Sequence, residues 1–139
     1  MKVENAVYPK GEQAMSFFGA PEDGAFVMVN LLKFKEKAEY PDGSNPHMTG
    51  AEAYNIYGVE VAKLVHALGG RVRYSGKVTG LILGEVEDLW DAVALAEYPS
   101  LAAFQKMATS PEYQAIEHHR TAGLAGQLNI RTKPAPNSP

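Results

Sequence analysis

Residues 25–34, AFVMVNLLKF, constrain the fold more than any other stretch of the chain. Their β-branched content, bounded by glycine and polar residues, makes them a strand. The apolar residues do not alternate: Phe26, Met28, Leu32 and Phe34 share one side, and Val27, Val29 and Leu31 share the other. A strand that is apolar on both faces has both faces covered. In a chain with few helices, one cover is expected to be its own helices and the other a second subunit.

The other elements follow from capping and periodicity. GEQAMSFFG, residues 11–19, reads as a short helix with Ala14, Phe17 and Phe18 inward, closed by Gly19 and Pro21. Residues 35–50, KEKAEYPDGSNPHMTG, form a long loop with PDG as a turn signal, either a binding loop or a mobile surface insertion. Thr49 and Glu52 make a capping box for a helix from Gly50 to Leu68, stopped by Gly69 and Gly70. On it Tyr54, Tyr57, Val61, Leu64, Val65 and Leu68 fall within one inward arc, and His66 faces out.

Two strands are expected next. Arg71 to Leu83 places Val72, Tyr74 and Val78 on one side, with a bulge or close approach at Gly76 and Gly80. After a turn at Glu85 to Asp88, Leu89 to Tyr98 returns as its hairpin partner, with Trp90, Ala92, Ala94, Ala96 and Tyr98 on one face. Ser100 caps a helix whose Leu101, Phe104, Met107 and Ala108 point inward, and Ser110–Pro111 starts another. There Tyr113, Ile116, Arg120 and Leu124 recur at helical spacing. Gly123 and Gly126 release the chain into a last strand, Gln127 to Thr132. Residues 1–132 read as one domain, and the tail 133–139, KPAPNSP, as disordered.

Without the first helix the order is β-α-β-β-α-β, its second helical part broken in two. This is an α+β, ferredoxin-like pattern: a four-stranded antiparallel sheet with helices on one face and an extra N-terminal helix. The bare face, together with the doubly apolar strand, implies sheets stacked into a homodimer, a dimeric α/β barrel.

Composition removes several function classes. A net charge of −3 without a Lys/Arg run gives no footprint for nucleic acid as a partner. The absence of cysteine excludes disulfides, thiol chemistry and thiolate metal sites. No apolar run reaches the ~20 residues that span a bilayer, and MKVENAVYPKGEQ has no apolar signal core. The expectation is a cytoplasmic protein without a membrane partner.

Arg120 is the leading site residue, because it brings a permanent charge onto an apolar stripe and an unpaired buried charge is costly. Either a carboxylate such as Glu97, Glu117 or Asp91 pairs with it or it snorkels to the sheet edge, or else it holds a ligand anion. Asn30 interrupts the apolar strand and must be hydrogen-bonded, as a structural bridge or as an oxyanion donor. Arg120 and Asn30 are therefore the catalytic candidates. Tyr54, Tyr57, Arg71 and Trp90 are the substrate-binding candidates, with core packing the alternative for the tyrosines and a solvated edge for Arg71. His118 and His119 are adjacent, so they point about 100° apart on a helix and cannot chelate one metal. No metal or cofactor is expected.

The segments MVNLLKF, GAEAYNIY, LGGRV, WDAVALAEYPSLAAF and SPEYQAIEHHR together resemble domain-of-unknown-function family 1330, of the dimeric α+β barrel superfamily. The similarity runs from about Ala25 to Ile130, and its most specific parts are the Tyr-x-x-Tyr, the Gly-Gly-Arg and the Ser-Pro-Glu-Tyr leading to Arg120. The resemblance implies the ferredoxin-like fold and a homodimer. Its superfamily includes cofactor-independent monooxygenases, haem-binding chlorite dismutases and dye peroxidases, and muconolactone isomerases, whose catalytic patterns do not map onto this chain. The resulting expectation is a pocket between sheet and helices for a small polar or anionic organic molecule. That molecule is either transformed without a cofactor, in a monooxygenase- or isomerase-like way, or only bound.

Overall fold

The doubly apolar strand forms as β1 (Phe26–Phe34) and runs inside the sheet, between two antiparallel neighbours. The computed structural model describes residues 1–136, so the end of the expected disordered tail lies outside the described residues. Around β1 the chain places α1 (Gly11–Phe18), α2 (Gly50–Ala67), β2 (Arg71–Lys77), β3 (Ala92–Tyr98), α3 (Leu101–Ala108), α4 (Pro111–Gln114), α5 (Glu117–Gly123) and β4 (Leu124–Thr132). The strands lie in the order β2-β3-β1-β4 in one antiparallel sheet, the ferredoxin-like α+β arrangement.

Local chemistry starts the helices where the sequence indicates. Thr49 Oγ1 accepts from the Glu52 amide at 3.1 Å and the Glu52 carboxylate accepts from the Thr49 amide at 3.0 Å, a closed capping box. Ser100 and Ser110 cap α3 and α4 through the Ala103 and Tyr113 amides, with Pro111 opening α4. Glu22 also reaches the start of α3, accepting from the Leu101 and Ala102 amides at 3.0 Å each. These amides, Leu101 first, hold its carboxyl below the usual range.

Register divides the two faces of β1. Phe26 stands opposite Tyr98 and Met28 opposite Ala96, and this face is buried under α1, α2 and α3 through Phe17, Phe18, Val65, Leu101, Phe104 and Met107. Val29 stands between Leu95 and Ile130, and Leu31 between Val93 and Leu128, on the face that the helices leave open. Tyr74, opposite Leu95, is 60% exposed there and Ile130 is 45% exposed.

Four expectations need correction. First, β2 ends at Lys77 rather than Leu83 and β3 starts at Ala92 rather than Leu89, so residues 78–91 make a long excursion instead of a tight hairpin. A strand extends only while its partner does. The last link is the Val78 amide to Asp91 O at 2.9 Å, and beyond it Asp91 turns to β1, accepting from the Phe34 amide at 2.8 Å. Second, the bulge lies between Val72 and Tyr74, so these two residues face opposite sides of the sheet, while Gly76 is a close approach where a Cβ would overlap the Tyr74 ring and Gly80 is neither. Third, the second helical part has three pieces, and Leu124 belongs to β4, because a turn at Ala115–Ile116 separates α4 from α5.

The fourth concerns the loop after β1, which is tied down along its length and is not a loose insertion. Ala38 N donates to Met48 O, Glu39 N to Ala122 O, and Lys35 N to Gly123 O, all within 2.8–2.9 Å. Gly50 and Gly123 let α2 and α5 approach until their backbones touch, since a Cβ on Gly50 would overlap the Lys35 and Gly123 carbonyls.

Candidate functional site

Arg120 sits on α5 shortly before the chain enters β4, and its Nη2 donates to Gln127 Oε1 and to Val7 O, both at 2.8 Å. Gln127 is buried, and its Nε2 donates to Asn30 Oδ1 at 2.7 Å. Asn30 Nδ2 in turn donates to Ala94 O at 3.1 Å and Met28 O at 3.3 Å. One polar chain therefore crosses β4, β1 and β3 on the helix-facing side. Both Asn30 amide hydrogens are used in it, which makes Asn30 a bridge and leaves none for an oxyanion.

The carboxylates expected for Arg120 are placed elsewhere. Glu97 pairs with Arg71 at 3.5 Å and Arg73 at 3.2 Å, and Asp91 pairs with Lys33 at 3.5 Å. Among the described residues no salt bridge involves Arg120 or Glu117. The guanidinium is half-buried and bonded only to neutral oxygens, with Nε and Nη1 unused. Neither nitrogen is sealed, since the one fully buried side-chain nitrogen or oxygen without a partner among the described residues is Arg131 Nη1.

Beside it runs a row of rings from β1 over α2 to α4: Phe34, Tyr54, Tyr57 and Tyr113, with successive centroids 5.3, 5.3 and 6.0 Å apart. Tyr57 and Tyr113 share a hydroxyl–hydroxyl hydrogen bond of 3.1 Å. Burial pushes Tyr54 up to about 12 and Tyr57 well above the ordinary phenol value, and in both the Arg120 charge works in the opposite direction. These phenols stay protonated near neutral pH, as donors and not as bases. The Tyr54 hydroxyl takes part in none of the hydrogen bonds among the described residues, so it and Arg120 both retain unused N–H or O–H groups.

The six sequence candidates do not all converge. Arg120, Asn30, Tyr54 and Tyr57 come together. Arg71 is exposed opposite Glu97 on the helix-free face. Trp90 is half-buried outside β3, and its Nε1 donates to Asn5 Oδ1 at 2.8 Å. Asn5 begins a short strap whose Ala6 bridges to Gln127 and whose Val7 carbonyl receives Arg120, which links Trp90 to the site through the main chain. Sequence reasoning missed Gln127, Val7 and the Tyr113 hydroxyl. Tyr113 was legible as part of the stripe that carries Arg120. Gln127 was visible only through its register opposite Leu32.

Among the described residues no three His, Asp or Glu side chains are grouped to hold a metal ion, and no helix is long and apolar enough to cross a membrane.

A family model described as a domain of unknown function, number 1330, matches residues 44–132. A crystal structure of a protein of unknown function from Rhodopseudomonas palustris is 35% identical, with 95% of this chain and 98% of that one covered and a TM-score of 0.83. A NIPSNAP domain protein from Burkholderia xenovorans is similar in fold at 16% identity, covering 83% of this chain and 98% of that one, with a TM-score of 0.53. So is a Dabb-family protein with a ferredoxin-like fold from Mesorhizobium loti, at 15% identity and a TM-score of 0.50, over 81% of this chain and 99% of that one. Comparison with curated proteins returns no match.

Proposed function

The chain belongs to the family of domain of unknown function 1330, and on that premise we propose that it is a homodimeric binding protein for a small organic anion, held at Arg120 under the Tyr54–Tyr57 wall. One observation carries this reading: a half-buried guanidinium with no carboxylate partner lies beside a tyrosine whose hydroxyl is unused. A permanent cation in that setting lacks a counter-charge, and the free Arg120 N–H groups and the Tyr54 hydroxyl can both donate. A carboxylate or enolate would supply both the charge and the acceptors.

The same geometry refines how the anion docks. Either two-pronged edge of a guanidinium uses Nη2, and both Nη2 hydrogens are taken by Val7 and Gln127. The ligand takes Nη1 or Nε singly, or displaces the Val7 carbonyl and opens the strap. With protonated tyrosines and an Asn30 amide that is fully engaged, the site offers no base. This favours binding over turnover. The dimer is supported by the helix-free face, where Val29, Leu31, Val93, Leu95, Tyr74 and Ile130 form a continuous apolar surface.

Benzoate and its neutral counterpart benzamide test the site by thermal unfolding. Benzoate is expected to raise the unfolding temperature of the natural protein but not of Arg120→Met, while benzamide raises neither. Saturation at a hundredfold over Kd corresponds to about 2.7 kcal/mol. Equal shifts with both compounds, or an unchanged benzoate response in Arg120→Met, overturn the reading. Sedimentation showing a stable monomer at micromolar concentration removes the dimer.

A further inference from the structure

The long loop after β1 builds a second constellation that shares no residue with the Arg120 network. Its turn, with Tyr40, lies against α5 and forms a cleft of about 280 Å³ lined by Tyr40, Pro41, Asp42, Ser44, Asn45 and the two histidines His118 and His119. The frame is backbone-bonded: Gly43 N donates to Tyr40 O at 2.9 Å and Met48 N to Asn45 O at 3.0 Å. Gly43 and Asn45 adopt left-handed φ values of 74° and 53°, which these residue types tolerate. Asp42 Oδ1 accepts from the Ser44 amide at 2.9 Å, and Ser44 holds its carboxyl below the usual range, so Asp42 is ionised.

Tyr40 is buried, and its hydroxyl lies 2.6 Å from His119 Nδ1 and 3.8 Å from Met48 Sδ. An imidazole nitrogen is a far stronger acceptor than a thioether, which favours the arrangement in which the hydroxyl donates to an unprotonated Nδ1. A neutral ring that accepts at Nδ1 carries its own hydrogen on Nε2. Burial, and secondarily His118, lower the His119 pKa and keep the ring neutral. Its orientation is also fixed: the His118 ring lies 4.0 Å away, and the Tyr40 ring meets it nearly at right angles at 5.5 Å. The cleft therefore combines a pre-set N–H donor with an ionised carboxylate. Such a pair disfavours anions and matches a neutral molecule that both accepts and donates.

We propose that this cleft is a second binding site, for a small neutral molecule carrying a carbonyl beside a hydroxyl. The carbonyl oxygen accepts from His119 Nε2–H and the hydroxyl donates to Asp42. Tyr40 is a positioning residue that sets the His119 tautomer.

Long-range ¹H–¹⁵N spectra of the histidine side chains test this directly, with hydroxyacetone as the probe. The natural protein is expected to show His119 as a single Nε2–H tautomer whose Nε2 signal shifts saturably with hydroxyacetone, with or without saturating benzoate. Tyr40→Phe should yield a tautomer mixture at His119 and weaken hydroxyacetone binding in proportion to the lost Nε2–H population, about twofold for an even mixture. His119→Gln should abolish saturable hydroxyacetone binding, followed through the His118 signal. An Nδ1–H tautomer in the natural protein overturns the inference without any variant. So does a response to acetate equal to that to hydroxyacetone, the absence of saturation, or binding unchanged in both variants.

Discussion

The helix-facing side of β1 divides into two halves with opposite chemistry. Around Phe26 and Met28 the contacts are nearly all apolar: Phe26 is 1% exposed, stacks on Tyr98 at 5.5 Å and meets Phe17 and Phe104 edge-on at 6.2 Å each. The charge that enters this half, Arg131, lies over the Phe17 ring at 5.2 Å. Two residues along, Asn30 begins a chain of side-chain hydrogen bonds through Gln127 to Arg120, flanked by tyrosines. The first half is chiefly the packing that joins the sheet to its helices, with Arg131 Nη1 the one fully buried side-chain nitrogen left without a partner among the described residues. The second carries a connected polar chain, Asn30–Gln127–Arg120, along the same helix-facing side, and it is there that the proposed site lies.

Four tests can break or sharpen this contrast, in order of expected effect. Phe26→Ala empties the centre of the apolar half and should cost about 3–5 kcal/mol in urea unfolding. A loss below about 1 kcal/mol would show that this half does not anchor the sheet to its helices. Asn30→Leu should cost about 1–3 kcal/mol, because it leaves the buried Gln127 amide without its acceptor. Adding Gln127→Leu should recover part of that loss, and strict additivity in the cycle would mean that the two amides are not a unit.

Tyr113→Phe removes the partner of the Tyr57 hydroxyl and should cost about 0.5–1.5 kcal/mol, read from the same unfolding curves. Glu22→Gln, at the rim of the apolar half, is the smallest and depends on pH. The folded-state pKa of Glu22 lies below its ordinary value, so its contribution is present above that value and lost as pH falls through the folded one. The gap in unfolding temperature between natural and variant proteins should close on acidification. A gap that is constant down to strongly acid pH would show that the charge on α3 contributes nothing.

Much of the fold was legible because its signals are local. The capping box at Thr49 and Glu52, the Ser110–Pro111 start and the two-sided apolar pattern of residues 26–34 each act within a few residues. The long strands read at 71–83 and 89–98 failed for the opposite reason. A strand ends where its partner leaves, and Asp91 leaves to satisfy the Phe34 amide, 57 residues away. Arg120 could be singled out as a charge on an apolar stripe, while its partners Val7 and Gln127 are supplied by the strap and by β4. The adjacent histidines read as poor chelators, and nothing local announced that Tyr40, 79 residues from His119, would meet one of them.

By itself, then, the sequence determined where the helices start, which stretches contain the strands, and that Asn30 and Arg120 put polar groups on otherwise apolar stripes. These follow from periodicity and capping, which act within a turn or two of the chain. Only the tertiary structure decided that Glu97 and Asp91 go to other cations and leave Arg120 without a counter-charge, and that the long loop folds back on α5. Pairing between distant side chains is set by strand register and backbone approach, and a linear pattern carries neither.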